Sequence, residues 1–224
     1  MIKVKNVSSQ YGALYAVKEY CVDKLNEKIE IVVPDKLSLF MEKFLFEQLN
    51  ISASFNLKVS TLNRFAKKNL DIDKTNQISK IGSILLINRI LNENLEKFSV
   101  FNSKTYSFSY AENIFRTIGQ LKASKITADE MLKFNSQDEQ LKNKISDLAL
   151  VYEEYEKCKA GLLDASDLFL ISAFNVSKGR ENSKILIVGF DDFTAIEYLI
   201  IQESQAINIF TTMKLLTNCE ILLT

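Results

Sequence analysis

Short apolar runs and helical periodicity alternate along the N-terminal part of this chain. Ile29–Val33 consists mainly of β-branched residues and ends at Pro34, the only proline, which indicates a buried strand. Met41–Leu49 carries apolar residues at helical spacing, and Phe55–Val59 returns to strand character. Ile2–Val7 alternates apolar and polar residues and predicts a further strand. Strands that alternate with helices predict a parallel sheet whose strand ends meet at one edge.

The pattern changes over residues 76–175, where apolar residues recur only at helical spacing. Thr127–Glu130 and Ser136–Glu139 have the sequence of capping boxes, which open helices. We therefore predict an all-helical lobe over 76–175. Its main helices are predicted at Gln77–Leu95, Ser109–Ser124, Gln137–Lys159 and Asp164–Phe174.

Strand character resumes at Lys184–Val188 and Ile207–Thr211. We therefore predict a doubly wound, mostly parallel α/β lobe built from residues 1–75 and 176–224, with the helical lobe inserted between these segments. The first turn of this lobe leads into a helix over Tyr11–Leu25, and Ser60-Thr61 offers cap hydroxyls for a helix over Leu62–Asn69. Leu215–Thr224 ends on an apolar stretch without a terminating signal, as expected of a piece of a longer protein.

Composition narrows the possible functions. The 224 residues contain 28 Lys+Arg and 28 Asp+Glu, so the chain has no net charge to attract nucleic acid. There are no histidines, which excludes histidine bases and Ser-His triads within this segment. Cys21, Cys158 and Cys219 are far apart, and we expect reduced thiols. No stretch is apolar enough for a membrane span and no signal peptide is evident, so we expect a cytoplasmic protein.

Acidic and nucleotide-binding motifs are weak. The Asn6–Gly12 turn follows the first strand, where a phosphate loop would lie, but it has one glycine and no Lys-Ser or Lys-Thr. Asp191-Asp192 could hold Mg²⁺ through water, although adjacent surface acids are more often only solvated. Asp164 and Asp167 are expected to cap a helix start. The sequence therefore predicts no catalytic residue, cofactor site or metal site in this segment.

The densest basic group near strand exits is Arg64, Lys67 and Lys68, with Lys36 and Lys58 nearby. One interpretation is a solvated helix face. The other is a line of contacts to a phosphate backbone, aided by hydroxyl groups. The hydroxyl residues are Ser38, Ser60 and Thr61.

Two stretches, Val32–Ser38 and Val59–Ala66, are similar to the first lobe of superfamily-1-like helicases. More closely, they resemble the N-terminal region of AddB/RexB, the second subunit of the bacterial AddAB helicase–nuclease. The segments that extend this resemblance along the chain are Gln120–Glu130, Lys144–Tyr155, Asp164–Leu168 and Ile187–Tyr198.

The resemblance implies a lobe of P-loop NTPase/helicase type with an inserted helical lobe. It implies double-strand break repair by homologous recombination, an AddA-like motor as partner that uses ATP and Mg²⁺, and a C-terminal nuclease with an iron–sulfur cluster outside this segment. In that family the second subunit scans unwound single-stranded DNA for the Chi signal with the turns after its strands. The matching positions here are Asp35, Lys36, Ser38, Leu62, Arg64 and Lys67.

The nucleotide site departs from the family pattern, because Val188 stands at the strand-end position where the family has an acid that would position Mg²⁺. With no Walker A lysine, no Walker B acid and no nuclease site, we expect a lobe that holds or scans single-stranded DNA without hydrolysing ATP. Two alternatives remain open. One is a residual ATP-binding domain, which calorimetry with Mg-ATP would detect, and the other is a purely structural scaffold for a partner subunit.

Overall fold

A computed structural model of the chain describes residues 3–7, 9–68, 70, 76–103, 105–176, 183–204 and 208–211. The chain divides into two compact units. Met1–Leu70 and Ser172–Thr224 together form one, here called the sheet unit, and Asp71–Ile171 forms the other, here called the helical unit. The sequence predicts this division after residues 75 and 175, and the structure divides after residues 70 and 171.

Within the part of the chain that the structure describes, the sheet unit contains a five-stranded parallel sheet with the strand order β1-β5-β4-β2-β3. β4 pairs directly with β2, although the whole helical unit separates them in sequence. The strands are β1 (Lys3–Asn6), β2 (Ile29–Val33), β3 (Leu57–Thr61), β4 (Lys184–Val188) and β5 (Asn208–Thr211). The described helices of this unit are α1 (Gln10–Val22), α2 (Ser38–Gln48), α3 (Leu62–Lys67), the end of α8 (Ala165–Asn175) and α9 (Ala195–Ser204), and a 3₁₀ turn covers Asp35–Leu37.

Helices cover both faces of this sheet. On one face Ile29, Ile31 and Val33 pack with apolar residues of α1 and α2 in a single core. Because side chains alternate along a strand, Glu30 projects to the other face. There Lys68, the residue after α3, brings its ammonium group to 3.5 Å from the Glu30 carboxylate. The predicted doubly wound α/β fold is confirmed.

The helical unit has a core of its own, built where the apolar stripes of its helices meet. Ile84, Ile87, Ile118 and Tyr155 lie at its centre and are almost inaccessible to solvent. The helices are α4 (Lys80–Glu93), α5 (Phe108–Ala123), α6 (Ala128–Leu132), α7 (Glu139–Cys158) and the start of α8 (Ala165–Asn175).

One buried carboxylate holds the loop between α4 and α5. Asp147 of α7 is 3% exposed and accepts hydrogen bonds from the backbone N–H groups of Ser99, Val100 and Phe101 at 3.0, 2.6 and 2.8 Å. These three donors compensate the burial of the carboxylate and fix the loop against α7.

Local chemistry explains where the predicted boundaries differ from the structure. The capping box at Thr127 is present, but α7 is capped by Asp138, whose carboxylate accepts from two backbone N–H groups, and not by Ser136. Strand β3 begins at Leu57 and not at Phe55, because the Ser54 hydroxyl accepts hydrogen bonds from the Asn56 and Leu57 backbone N–H groups, and Phe55 is fully exposed. Ser79 caps α4, so that helix begins at Lys80 and not at Gln77. The predictions for residues 71–75, 215–224 and Cys219 concern positions outside the described residues.

Candidate nucleic-acid interface

The turns that follow β2 and β3 lie side by side at one edge of the sheet. Val33 and Thr61, the last residues of these parallel strands, are direct partners in the register. The chain leaves β2 through the Asp35–Leu37 turn into α2, and it leaves β3 directly into α3. Carboxyl ends of parallel strands are where open α/β sheets bind ligands. The two basic segments singled out from the sequence therefore meet at one edge.

Five of the eight residues predicted to contact DNA reach the surface at this edge. Asp35, Lys36 and Arg64 are exposed, and Ser38 and Lys67 are half-buried. The Ser38 hydroxyl donates a hydrogen bond to the Asp35 carbonyl at 3.0 Å, which stabilises the turn. This surface, here called the exit surface, consists of Asp35, Lys36, Ser38, Arg64 and Lys67.

The other three predicted contact residues point into the protein. Ser60 is 3% exposed, and its hydroxyl donates to the buried Glu30 carboxylate at 2.9 Å. The Thr61 hydroxyl accepts from the Arg64 backbone N–H and caps α3, while Leu62 is buried in the core. The cap prediction therefore applies to Thr61 alone. Direct contact through Ser60, Thr61 and Leu62 is the part of the predicted set that the side-chain positions contradict.

Charges of both signs lie at the exit surface. Lys36 places its ammonium nitrogen 3.8 Å from a carboxylate oxygen of Asp191, in the turn after β4. Both side chains are more than half exposed, so solvent screens this pair and it contributes little to stability. The carboxylate of Asp192 instead accepts from the Phe193 backbone N–H. The two adjacent acids thus have separate local partners.

The edge beyond β1 and β4 has features that do not suit a nucleotide. Ser9 caps α1 by accepting from the Gly12 backbone N–H at 3.0 Å, so a protein hydroxyl uses one N–H that a phosphate would need. Val188 is 1% exposed and belongs to the core on the α1 and α2 face. Its apolar side chain cannot coordinate a cation.

Glu30 is a buried acid within an apolar strand, and the sequence pattern did not predict a role for it. It lies in β2, is 4% exposed, and is held by the Ser60 hydroxyl and the Lys68 ammonium group. Its partners lie 30 and 38 residues away along the chain. The signal that marks it is a single acid inside an otherwise apolar strand, which requires partners on the neighbouring strand and helix.

A second buried set of charges lies in the helical unit. Asp164 caps the start of α8 by accepting from the Ser166 and Asp167 backbone N–H groups. The sequence predicts this cap, but it does not predict that Lys122 of α5 lies 2.7 Å from Asp164 and 2.8 Å from Asp167. Lys159 approaches the same carboxylates, and the Tyr155 hydroxyl lies 3.0 Å from Asp164.

The three carboxylates of this cluster are arranged like those of a metal site, but two lysines already balance most of their charge. Glu156, Asp164 and Asp167 lie close enough together to share a metal ion. The ammonium groups of Lys122 and Lys159 contact these same carboxylates. The lysines therefore supply the positive charge that an ion would bring, and the arrangement is that of a buried ion-pair network.

Hydrogen bonds within the cluster outweigh burial in setting the charge states. Burial alone would raise the pKa of Asp164, but the hydrogen bond and charge of Lys122 lower it to about 2. Burial alone would lower the pKa of Lys122, but hydrogen bonds to Asp164, Asp167 and Glu156 raise it above its usual value. Both groups are therefore charged at neutral pH.

The two described cysteines are free thiols. Cys21 is buried in the sheet-unit core, where burial raises its pKa to about 11, and Cys158 is exposed. A buried thiol that stays protonated is a packing residue and not a nucleophile.

Comparison with known proteins identifies the family. The sequence profile of the family described as AddB, N-terminal, matches residues 12–218. The chain belongs to this family. The match covers both the sheet unit and the helical unit of this AddB N-terminal region.

Curated relatives of this AddB region carry one common description, the B subunit of an ATP-dependent helicase/deoxyribonuclease. The chain is 25% identical over 206 residues to the protein of this name from Clostridium novyi, a match that covers 83% of the chain and 18% of that protein. It is 26% identical over 201 residues to the one from Clostridium botulinum, with the same coverage. The relative from Listeria innocua is 23% identical over 199 residues. The chain spans less than a fifth of the length of these relatives.

None of the helices among the described residues combines the length and the apolar character needed to cross a membrane.

Proposed function

We propose that this AddB N-terminal region holds or scans single-stranded DNA along the exit surface, as part of a helicase–nuclease that repairs double-strand breaks by homologous recombination. The observation that carries the proposal is the alignment of Lys36, Arg64 and Lys67 at the ends of two adjacent strands. Cations at neighbouring strand exits suit the regularly spaced phosphates of one strand.

Electrostatics limits the affinity that this surface can supply. The chain carries no net charge, and Asp35 and Asp191 lie among the cations. Backbone contacts release counterions, so binding should be modest and should weaken steeply with salt. Modest affinity suits a strand that moves past the protein and does not stay bound to one position.

The relatives are named as one subunit of an ATP-dependent enzyme, which supports a motor partner for this chain. We propose an AddA-like partner in the cytoplasm, which binds ATP and Mg²⁺ while this segment binds neither. The iron–sulfur cluster then belongs to a nuclease domain outside this segment. The lack of a phosphate loop and the buried Val188 support this division of labour.

Replacing Arg64 and Lys67 together by alanine tests the DNA path. We expect weaker binding of single strands of every sequence, because the lost contacts are to phosphates. Each phosphate neutralised on a single strand contributes about 0.7 to the slope of log affinity against log salt, so the slope should flatten by about 1.4 units. Fluorescence anisotropy with a labelled oligonucleotide over a salt series measures both effects.

The matched control removes two exposed lysines from α7, Lys142 and Lys144, and so changes the net charge equally. It should leave the affinity and the salt slope nearly unchanged. If the Arg64/Lys67 variant binds like the unaltered protein, or if both double variants lose affinity equally, the exit surface is not the DNA path. A scaffold role for this region would then be favoured.

A further inference from the structure

Four aromatic residues lie near one another on the helices that follow β1 and β2. Tyr11 and Tyr15 lie one turn apart on α1, and Phe40 and Phe44 lie one turn apart on α2. The rings of Tyr15 and Phe44 meet edge to face at 5.3 Å, which joins the two pairs, and Phe40 stacks near Phe44 at 6.5 Å. We call these four residues the ring surface.

The ring surface is too exposed to be explained as the outer edge of the core. Tyr11 is 67% exposed, Tyr15 49% and Phe40 46%, and only Phe44 is half-buried. Single exposed apolar residues are ordinary, but a contiguous apolar patch usually marks a binding surface. Tyr15 and Phe40 both pack against Phe44, which favours the positions that their rings occupy.

The direction of the helices locates the ring surface. Both α1 and α2 follow parallel strands, so their first turns lie at the carboxyl edge of the sheet. Tyr11 and Phe40 belong to these first turns. Phe40 comes one turn after Lys36, which belongs to the exit surface. The ring surface is therefore continuous along the chain with Lys36, one of the proposed phosphate contacts.

Charges near the rings differ between the two ends of the surface. Lys36 precedes Phe40 at the end near the sheet edge, whereas Glu19 and Glu47 follow the rings further along their helices. Lys18 lies 6.0 Å from the centre of the Tyr15 ring. An anionic strand that crosses from the exit surface thus passes Lys36 and then Phe40 before it reaches Glu19 and Glu47.

We propose that the ring surface stacks the bases of the single strand whose phosphates contact the exit surface. Aromatic side chains bind single-stranded nucleic acid in this way without sequence preference, because every base has a π-face. This inference rests on the proposed function and adds base contacts to it. Tyr11 and Phe40 are the stacking residues, and Phe44 positions Phe40 and Tyr15.

The test compares a labelled oligothymidine with an abasic oligonucleotide of the same length, which keeps every phosphate and lacks the bases. For the unaltered chain the base-bearing strand should bind at least about fivefold more tightly, the equivalent of one stacked base. Phe40→Ala and Tyr11→Ala should each reduce this ratio, and the double variant should bring it close to one. Phe40→Trp should preserve it.

Phe55→Ala is the matched control, because Phe55 is fully exposed just before β3, at the opposite edge of the sheet. It should leave the ratio unchanged. Thermal unfolding followed by circular dichroism establishes that each variant is folded. The salt slope of the ring variants should match that of the unaltered chain, because stacking releases no counterions, whereas the Arg64/Lys67 variant should flatten it.

Two results overturn the stacking proposal while leaving the phosphate path intact. One is equal binding of base-bearing and abasic strands by the unaltered chain. The other is a base preference that survives the double ring variant. If sedimentation shows self-association that this variant abolishes while the base preference persists, the ring surface joins protein chains instead. If the unaltered chain binds no single strand, both proposals fall.

Discussion

At the scale of single residues, Asp164 combines a helix cap with a buried ion pair. Its side chain is 3% exposed, and the carboxylate accepts hydrogen bonds from two backbone N–H groups and from the Lys122 ammonium group. Its pKa of about 2 lies below the usual value of 3.8, so folding stabilises the charged form. This stabilisation is complete above pH about 4 and is lost as the pH falls through about 2.

Asp164→Asn should destabilise the protein by about 2 kcal/mol at neutral pH, the free energy that corresponds to this pKa difference. The difference from the unaltered protein should shrink between pH about 4 and about 2, because Asp164 becomes protonated and loses its charge there. Urea unfolding at several pH values measures both effects.

Asp129→Asn is the control for this change, because Asp129 is an exposed acid in the first turn of α6. It should alter stability only slightly, since an exposed helix-end charge is screened by solvent. Equal stability of Asp164→Asn and the unaltered protein at neutral pH would contradict the buried-pair interpretation.

At the scale of elements, the turn after β4 packs against the turn after β2. Gly189, which follows β4, has a φ of +75°, and a Cβ atom there would lie 2.8 Å from the Leu37 side chain. The conformation and the close approach both require glycine. This contact connects two of the strand exits that border the exit surface.

Gly189→Ala should therefore destabilise the protein by about 1–3 kcal/mol, because alanine is strained at positive φ and must displace Leu37. Thermal or urea unfolding measures the change. Gly119→Ala is the matched control within helix α5, where the added Cβ would meet only the Ser166 hydroxyl at 3.4 Å. Alanine should stabilise that helix by about 0.5–1 kcal/mol. Changes of the same sign in both variants would contradict this view of the β4 turn.

At the scale of the whole molecule, each of the two units contains its own hydrophobic core. The buried cluster of the helical unit runs from Ile84 to Tyr155 and lies wholly within Asp71–Ile171. A segment of this size with a contiguous core meets the usual condition for independent folding. The helical unit is therefore expected to be stable without the sheet unit.

Expression of residues 71–171 alone tests this expectation. The segment should show a helical circular dichroism spectrum and one cooperative thermal transition, as small single domains do. The buried Lys122 network should persist, so Asp164→Asn should lower the transition temperature of the segment as well. A non-cooperative melt would show that the helical unit requires the rest of the chain.

Sequence patterns by themselves determined the elements and their order in this protein. The strands at Ile29–Val33 and Lys184–Val188 were predicted to the residue. Such features depend on local periodicity, cap residues and turn residues, which are properties of neighbouring positions. The basic turns after β2 and β3 lie side by side because these two strands are parallel neighbours, which the sequence pattern also predicted.

Only the tertiary structure decided which polar side chains face solvent and which ones pair inside. Ser60 was expected at the surface, but its position in β3 turns it towards Glu30 on the adjacent strand. Lys122 forms a hydrogen-bonded ion pair with Asp164, although 42 positions separate the two residues in the sequence. The rings of α1 and α2 form one surface because Tyr15 and Phe44 meet across two helices. These outcomes depend on which elements become neighbours, and contacts between distant residues leave no periodic signal in the sequence.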